Sequence, residues 1–322
     1  MVIASIIVIV VVAIVVLGAV KNKKRKYYPA QTQCEGGTRR ELTEQEKECL
    51  LAIFRRTTLP YIELRPVRKA VGVFDSKLGG IPYLPPGFGY PYNTSPKSGK
   101  KPLKLIAQLN FARLPHLEGF PREGILQFYI ACEASDDVFG VNFEEPAEQD
   151  SWRIVYHKDI VGDESLLRSP PDLDIGDEAA FPFEGEFGLE ARIGEMAITS
   201  SDFRWQDFLE NMVLPSQLYQ SLEGAFAADE ITEELWDVSA DWEICAKGGF
   251  RVGGYPNFTQ EDPRRNGHGA GYTALLLQLD SWQDEEDAGI MFGDCGIANW
   301  FIKPEALANA DFSDVLYTWD CC

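Results

Sequence analysis

Three landmarks occur twice in this chain, in one order, and they constrain its fold more than any other feature. The first copy runs Gly-Gly-Ile-Pro (79–82), LIAQLNF (105–111) and GILQFYI (124–130). The second runs Gly-Gly-Tyr-Pro (253–256), LLLQLDS (275–281) and GIMFGDCGI (289–297). From the second Gly to the Gln is 28 residues in the first copy (80 to 108) and 24 in the second (254 to 278). Internal repeats set a fold, and two copies make a duplication, not a solenoid. The expectation is an α+β fold of mostly antiparallel β-sheets. It has two duplicated, pseudo-symmetric halves (about 61–160 and 245–322), a helical insert at about 201–244 and one N-terminal transmembrane helix. Coincidence among common strand and turn words is the competing account.

The most irregular stretch is GGFRVGGYPNFTQEDPR (248–264). Gly admits positive φ, and Pro fixes φ and removes a donor, so the stretch reads as a rigid loop that presents side chains. Its polar end supplies the candidate binding residues Gln260, Glu261, Asp262 and Arg264, joined by Gln108 and Asp294, with Asp280 in the same constellation. If the copies are equivalent, Gln108 matches Gln278 and the two Gly-Gly loops face one cleft. Carboxylates beside an Arg suit acid–base work or the binding of a peptide or sugar. Glu261 and Asp262 are therefore candidate catalytic carboxylates, and His268 is a candidate general base. The structural alternative is that Asp262 pairs with Arg264 and pins the loop.

Met1 to Val20 is aliphatic apart from Ser5 and Gly18, and Lys21, Lys23, Lys24, Arg25 and Lys26 follow directly. Twenty helical residues span about 30 Å, the thickness of a bilayer core. With no basic side chain ahead of the run, the positive-inside rule puts the N-terminus outside and the rest in the cytoplasm. The chain then reads as a single-pass membrane helix (1–20), a basic juxtamembrane segment and tether (21–42) and one globular domain (43–322). A cleaved export signal is the alternative. The formal charge of −20 excludes a nucleic-acid partner, which needs a basic patch. Seven Cys (34, 49, 132, 245, 295, 321 and 322) at irregular spacing read as free thiols.

Thr43 with Glu46 predicts a capped helix to about Arg56. Strands are expected over 61–73, 103–110, 125–131, 138–143, 152–157 and 274–279, with 289–292 and 297–302 forming a hairpin. Helical stripes run from Trp205 to Val213, capped by Ser201, then after Ser216, and more weakly from Ile231 to Trp242, with a short helix at Pro304. Residues 133–150 and 172–190 read as solvated acidic loops. No nucleotide loop, nucleophile elbow or zinc motif is present, and no cofactor or metal is expected.

The words SKLGGIPYLP (76–85), AQLNF (107–111), FPREGILQFYI (120–130), GGYPNFTQEDPR (253–264), LLLQLDS (275–281), FGDCGIANWFI (292–302) and DFSDVLYTWDC (311–321) resemble the YwqG-like family, bacterial domains of unknown function. The resemblance covers nearly all of residues 60–322 and implies an α+β fold with two related β-rich parts. It implies no established activity. Its members are soluble domains, so the N-terminal run is a departure. Similarity to components of toxin–immunity neighbourhoods points to protein binding. The resulting expectation is a membrane-anchored cytoplasmic domain that binds a protein or peptide with a basic surface, of immunity or adaptor type, without catalysis. A hydrolase or carbohydrate-active domain using the loop carboxylates, and a purely structural membrane-associated protein, are the alternatives.

Overall fold

Residues 42–97, 99–132, 138–173, 180–223, 244–245, 248–266, 269–284 and 289–321 are described by the computed structural model. The apolar run to Val20, most of the tether, the 231–242 stripe and His268 lie outside the described residues. Among the described residues no helix is long and apolar enough to cross a membrane. Two units are present: the described residues of Met1–Thr57 and Ala197–Cys245 form one, and those of Thr58–Met196 and Ala246–Cys322 the other.

The smaller unit is helical. Helix α1 (Glu44–Phe54) starts with the expected capping box. The Thr43 N–H donates to Glu46 Oε2 at 2.8 Å, and Ser221 Oγ donates to Glu46 Oε1 at 2.6 Å, so one buried carboxylate serves two elements. Helices α2 (Trp205–Asn211) and α3 (Ser216–Glu223) complete the unit. Leu42, Leu50, Leu218 and Leu222 form its apolar centre, and Phe54, Trp205 and Phe208 pack ring against ring. Ser201 is not the α2 cap: Arg204 holds that position, and no side chain caps it. The buried Asp202 takes the Arg204 N–H and both ends of its guanidinium, a bidentate grip that a hydroxyl cannot offer.

The larger unit is built on twelve strands: β1 (Leu59–Val67), β2 (Lys77–Gly79), β3 (Lys104–Asn110), β4 (Ile125–Ile130), β5 (Trp152–His157), β6 (Glu186–Met196), β7 (Phe250–Gly253), β8 (Ala274–Asp280), β9 (Trp282–Gln283), β10 (Gly289–Ile290), β11 (Ile297–Ile302) and β12 (Val315–Asp320), with a short helix α4 (Pro304–Ala308). Ten of them form one sheet in the order β12-β11-β8-β7-β1-β6-β2-β3-β4-β5, and its paired neighbours run antiparallel. The fold is therefore sheet-dominated α+β, as expected. Strand β1 sits at the centre although it carries Pro60 and Pro66, and a proline cannot donate to a ladder. The register explains this. Strand β7 covers only Tyr61–Leu64, so each Pro lies where β1 has a neighbour on one side alone.

The sheet curls so that its two ends pack face to face. Phe128 of β4 meets Trp300 of β11 at 5.4 Å, and Trp152 of β5 meets Tyr317 of β12 at 5.4 Å. Trp300 and Tyr317 stack at 4.4 Å with planes 3° apart. These rings centre one continuous core that also takes Ile62, Leu64, Phe187 and Leu189 from the middle strands.

Three sequence expectations need correction here. Residues 138–140 form a 3-10 turn with Phe139 at φ 57°, because the chain reverses to bring the Phe139 ring onto Phe292 and Trp319. Residues 289–290 pair with 282–283, not with 297–302, and β11 is held between β8 and β12. Gly289 permits that pairing, since a Cβ there would lie 2.2 Å from the Trp282 carbonyl oxygen. The second acidic stretch is not all loop: β6 begins at Glu186 and directs Glu190 and Arg192 to solvent.

Candidate functional site

Directly paired residues share one face of a sheet. The register therefore sets Gln127, Gln108, Lys77 and Gly188 in a row on the face opposite the core. Glu63, Arg251, Gln278 and Asn299 form a second row on that face. Each row anchors one Gly-Gly loop.

In the first loop Gly79 and Gly80 adopt φ of 63° and 70°, and a Cβ on Gly79 would lie 2.6 Å from the Gly185 carbonyl oxygen. The chain that follows is clamped by amides. Gln108 Oε1 accepts from the Tyr83 N–H at 2.9 Å, and its Nε2 donates to the carbonyls of Val73 (2.8 Å) and Asp75 (2.9 Å). Gln127 Nε2 donates to the Tyr83 carbonyl at 2.8 Å and to Gln108 Oε1 at 2.8 Å. Gln127 Oε1 accepts from the Tyr129 hydroxyl at 3.0 Å and lies 3.1 Å from His157 Nε2. An amide oxygen can only accept, so the neutral His157 carries its proton on Nε2. Burial holds the His157 pKa down at about 4, which keeps the ring neutral at ordinary pH.

The second loop is held in a like manner. Gly253 and Gly254 adopt φ of 76° and 69°. Gln278 Oε1 accepts from the Asn257 N–H at 2.7 Å, and its Nε2 donates to the Gly249 carbonyl at 2.7 Å. Asn299 Nδ2 donates to the Asn257 carbonyl at 2.9 Å. Asp280 accepts from the Gly249 N–H, and burial raises its pKa. Further along, Asp262 and Arg264 form a fully buried bidentate pair, with Nε–Oδ1 at 2.9 Å and Nη2–Oδ2 at 2.6 Å. Arg264 also donates to the Tyr272 carbonyl at 3.0 Å and lies 3.8 Å over the Phe301 ring.

The sequence-derived residues thus divide. Gln108, Asp262 and Arg264 are buried and hold the loops in place. Gln260 is exposed, with its N–H on Asp320 and its amide on the Cys321 carbonyl. Glu261 and Asp294 face solvent. Gln108 and Gln278 share a face but stand five strand spacings apart, roughly 24 Å along the sheet at about 4.8 Å each. The structure therefore joins Asp262 to Arg264, ties Gln260 to Asp320 and Cys321, and leaves Gln108 with the other loop.

Besides Gln127 and Asn299, two buried cations escaped the sequence reading. Lys77 is only 1% exposed and donates to the carbonyls of Gly72 (2.8 Å) and Ile81. Arg251 is 2% exposed and donates to the Tyr255 carbonyl at 3.2 Å. Burial lowers Lys77 to about 8, against the opposing pull of Glu186 and Asp75, and Arg251 to about 10. The signal was present in Lys77-x-Gly-Gly and Arg251-x-Gly-Gly: a cation two residues before each glycine pair ties the carbonyl just beyond it. What remains outside is a tip on each loop, Ile81 at 57% exposure on the first and Gln260-Glu261 on the second.

No curated protein matches the chain. A family model described as domain of unknown function (DUF1963) matches residues 76–321, a span that holds both Gly-Gly loops, both amide clamps and strands β2 to β12. The chain belongs to that family.

Proposed function

We propose that the chain is a non-catalytic binding domain that recognises a protein or peptide through the tips of its two Gly-Gly loops, in an immunity or adaptor role. One observation carries this reading. The polar groups of the loops are spent on holding main chain in place, through Gln108, Gln127, Gln278, Asn299 and the Asp262–Arg264 pair. Loops fixed before binding lose little entropy on contact, which is how rigid recognition surfaces gain affinity. Asp262, one of the two carboxylates that an enzyme reading would use beside Glu261, already carries three hydrogen bonds from Arg264. The charge of −20 favours a partner with a basic surface and a salt-sensitive on-rate.

The finer readings of the chain belong to the same proposal. The apolar run to Val20 and the basic cluster after it support a single-pass anchor with the domain in the cytoplasm. The YwqG-like resemblance is taken as the same family. The two strand sets are taken as copies. Lys77, Gln108 and Gln127 correspond to Arg251, Gln278 and Asn299, and both glycine pairs have positive φ. On that reading β1 corresponds to β6, and each lies beside the other copy's second strand.

The test is affinity capture from solubilised membranes with the full chain, at low and high salt, against the variant Ile81→Ser with Glu261→Lys. A partner lost at high salt and in the variant supports the reading. Capture that persists in the variant removes the loops from the interface. A pH-dependent hydrolytic activity abolished by Glu261→Gln at unchanged folding would favour the enzyme alternative.

A further inference from the structure

None of the residues lining a cleft beside β5 belongs to a Gly-Gly loop. Strand β5 ends the ten-stranded sheet. Ala131 N–H donates to the Ser151 carbonyl, which fixes the ladder phase: the main chain of 151, 153, 155 and 157 faces β4, and that of Ile154 and Tyr156 faces outward. The cleft, of about 440 Å³, lies at this edge, lined by Arg153, Ile154 and Tyr156 of β5, by Gln149 before it, and by Ala310, Asp311, Phe312 and Ser313, with the Asp311 carboxylate taken up by the N–H and hydroxyl of Ser313.

Two side chains show what the cleft would take. The Gln149 amide bridges it as a peptide unit would. Its Oε1 accepts from the outward Ile154 N–H at 2.9 Å, and its Nε2 donates to the carbonyls of Phe312 (2.9 Å) and Ser313 (3.3 Å). Arg153 donates through Nη2 to the Gln149 carbonyl at 2.7 Å, while its Nε is buried with no hydrogen-bond partner among the described residues. A buried guanidinium donor without an acceptor calls for an anion, and a carboxylate fits its fork.

We propose that this cleft receives the C-terminal end of an extended peptide, which adds to β5 as an antiparallel strand and places its terminal carboxylate on Arg153. The direction follows from the geometry. The sheet's ladders are antiparallel, and an antiparallel strand on β5 ends beside residues 152–153, where the Gln149 main chain blocks further extension. The open edge from Ile154 past Tyr156 admits about three residues, roughly 10 Å at 3.4 Å each. Ile154, Tyr156 and Phe312 select apolar side chains, and the acidic protein favours basic residues upstream. The incoming strand displaces the Gln149 amide from the Ile154 N–H.

The probe is a fluorescent pentapeptide, Lys-Lys-Val-Val-Val, with a free C-terminal carboxylate or the corresponding amide, titrated by anisotropy against the full chain. The acid binds at least about tenfold more tightly than the amide, because only it meets the guanidinium. Arg153→Gln abolishes that preference without moving the thermal midpoint, and Gln149→Ala tightens binding of both forms several-fold. Equal affinities for acid and amide, a preference that survives Arg153→Gln, or no saturation by about 1 mM would each overturn the proposal. Because capture through Ile81 and Glu261 is read separately, loss of this site leaves the loop reading standing, and the converse holds.

Discussion

Asp262→Ala removes the carboxylate from a buried guanidinium. Asp262 accepts from the Arg264 main-chain N–H (3.0 Å), Nε (2.9 Å) and Nη2 (2.6 Å), and neither side chain reaches solvent. Arg264 then keeps its bond to the Tyr272 carbonyl and its stack on Phe301, but loses the carboxylate that grips its fork. Breaking a buried pair from one side costs about 3–5 kcal/mol, because the surviving ion stays desolvated. That is a large fraction of the roughly 5–15 kcal/mol that holds a typical domain together. Replacing both partners by apolar residues of similar volume, Asp262→Leu with Arg264→Met, removes the imbalance and restores most of the loss. Urea unfolding of the wild type, Asp262→Leu, Arg264→Met and the double variant gives the coupling energy directly, and Asp262→Ala is measured beside them. The expected order is wild type close to the double variant, with Asp262→Ala well below both. If Asp262→Ala costs under about 1 kcal/mol, water reaches the pair and the argument from burial fails.

Three more outcomes follow from the geometry. Burial holds His157 at about 4 in the folded state against 6.5 when unfolded, so the unfolded chain binds the extra proton. Stability is full above pH 6.5 and falls by about 3 kcal/mol as the pH drops to 4; His157→Gln flattens that part of the profile, and an unchanged slope in the variant would rule His157 out as its source. Gly79→Ala puts a Cβ 2.6 Å from the Gly185 carbonyl oxygen at φ 63°, and should cost at least about 1–2 kcal/mol in urea unfolding, whereas Gly87→Ala, with open space around it, should cost only the strain of its positive φ. A chain begun at residue 76 keeps the whole family match but lacks β1, including the buried Ile62 and Leu64, and should show no cooperative urea transition; a midpoint equal to that of the full chain would refute the central role of β1.

Local chemistry was legible where one short segment decides the outcome. The Thr43–Glu46 capping box, the buried strands β3, β4, β5 and β8, and the short helix at Pro304 all follow from neighbouring residues. Pairing between distant segments was not legible. Strand β6 mixes Glu186, Glu190, Arg192 and Glu195 with two glycines, and reads as loop until β1 and β2 are placed beside it. The loop cluster was found for its polar residues, yet composition cannot say which are buried. Asp262 and Arg264 close on each other through a two-residue spacing, while Glu261 just before them turns to solvent. Lys77 and Arg251 were passed over because a lone cation in a strand is normally exposed, and only the register shows each standing beside a buried glutamine.

The place of β1 also sets an order of events during synthesis. It leaves the ribosome before any other strand of the sheet, but Leu59 pairs with Met196 and Tyr61 with Gly253. At about 5–20 residues per second, the first of its two neighbours, β6, arrives roughly 7 to 27 s later. For that interval a strand destined for the middle of a ten-stranded sheet has both edges open. Pro60 and Pro66 deny a donor at either end, and Glu63 and Arg65 charge the face between them, the devices that keep a waiting strand from pairing with the wrong chain. The nascent protein therefore carries, in its first strand, protection that the finished sheet no longer needs.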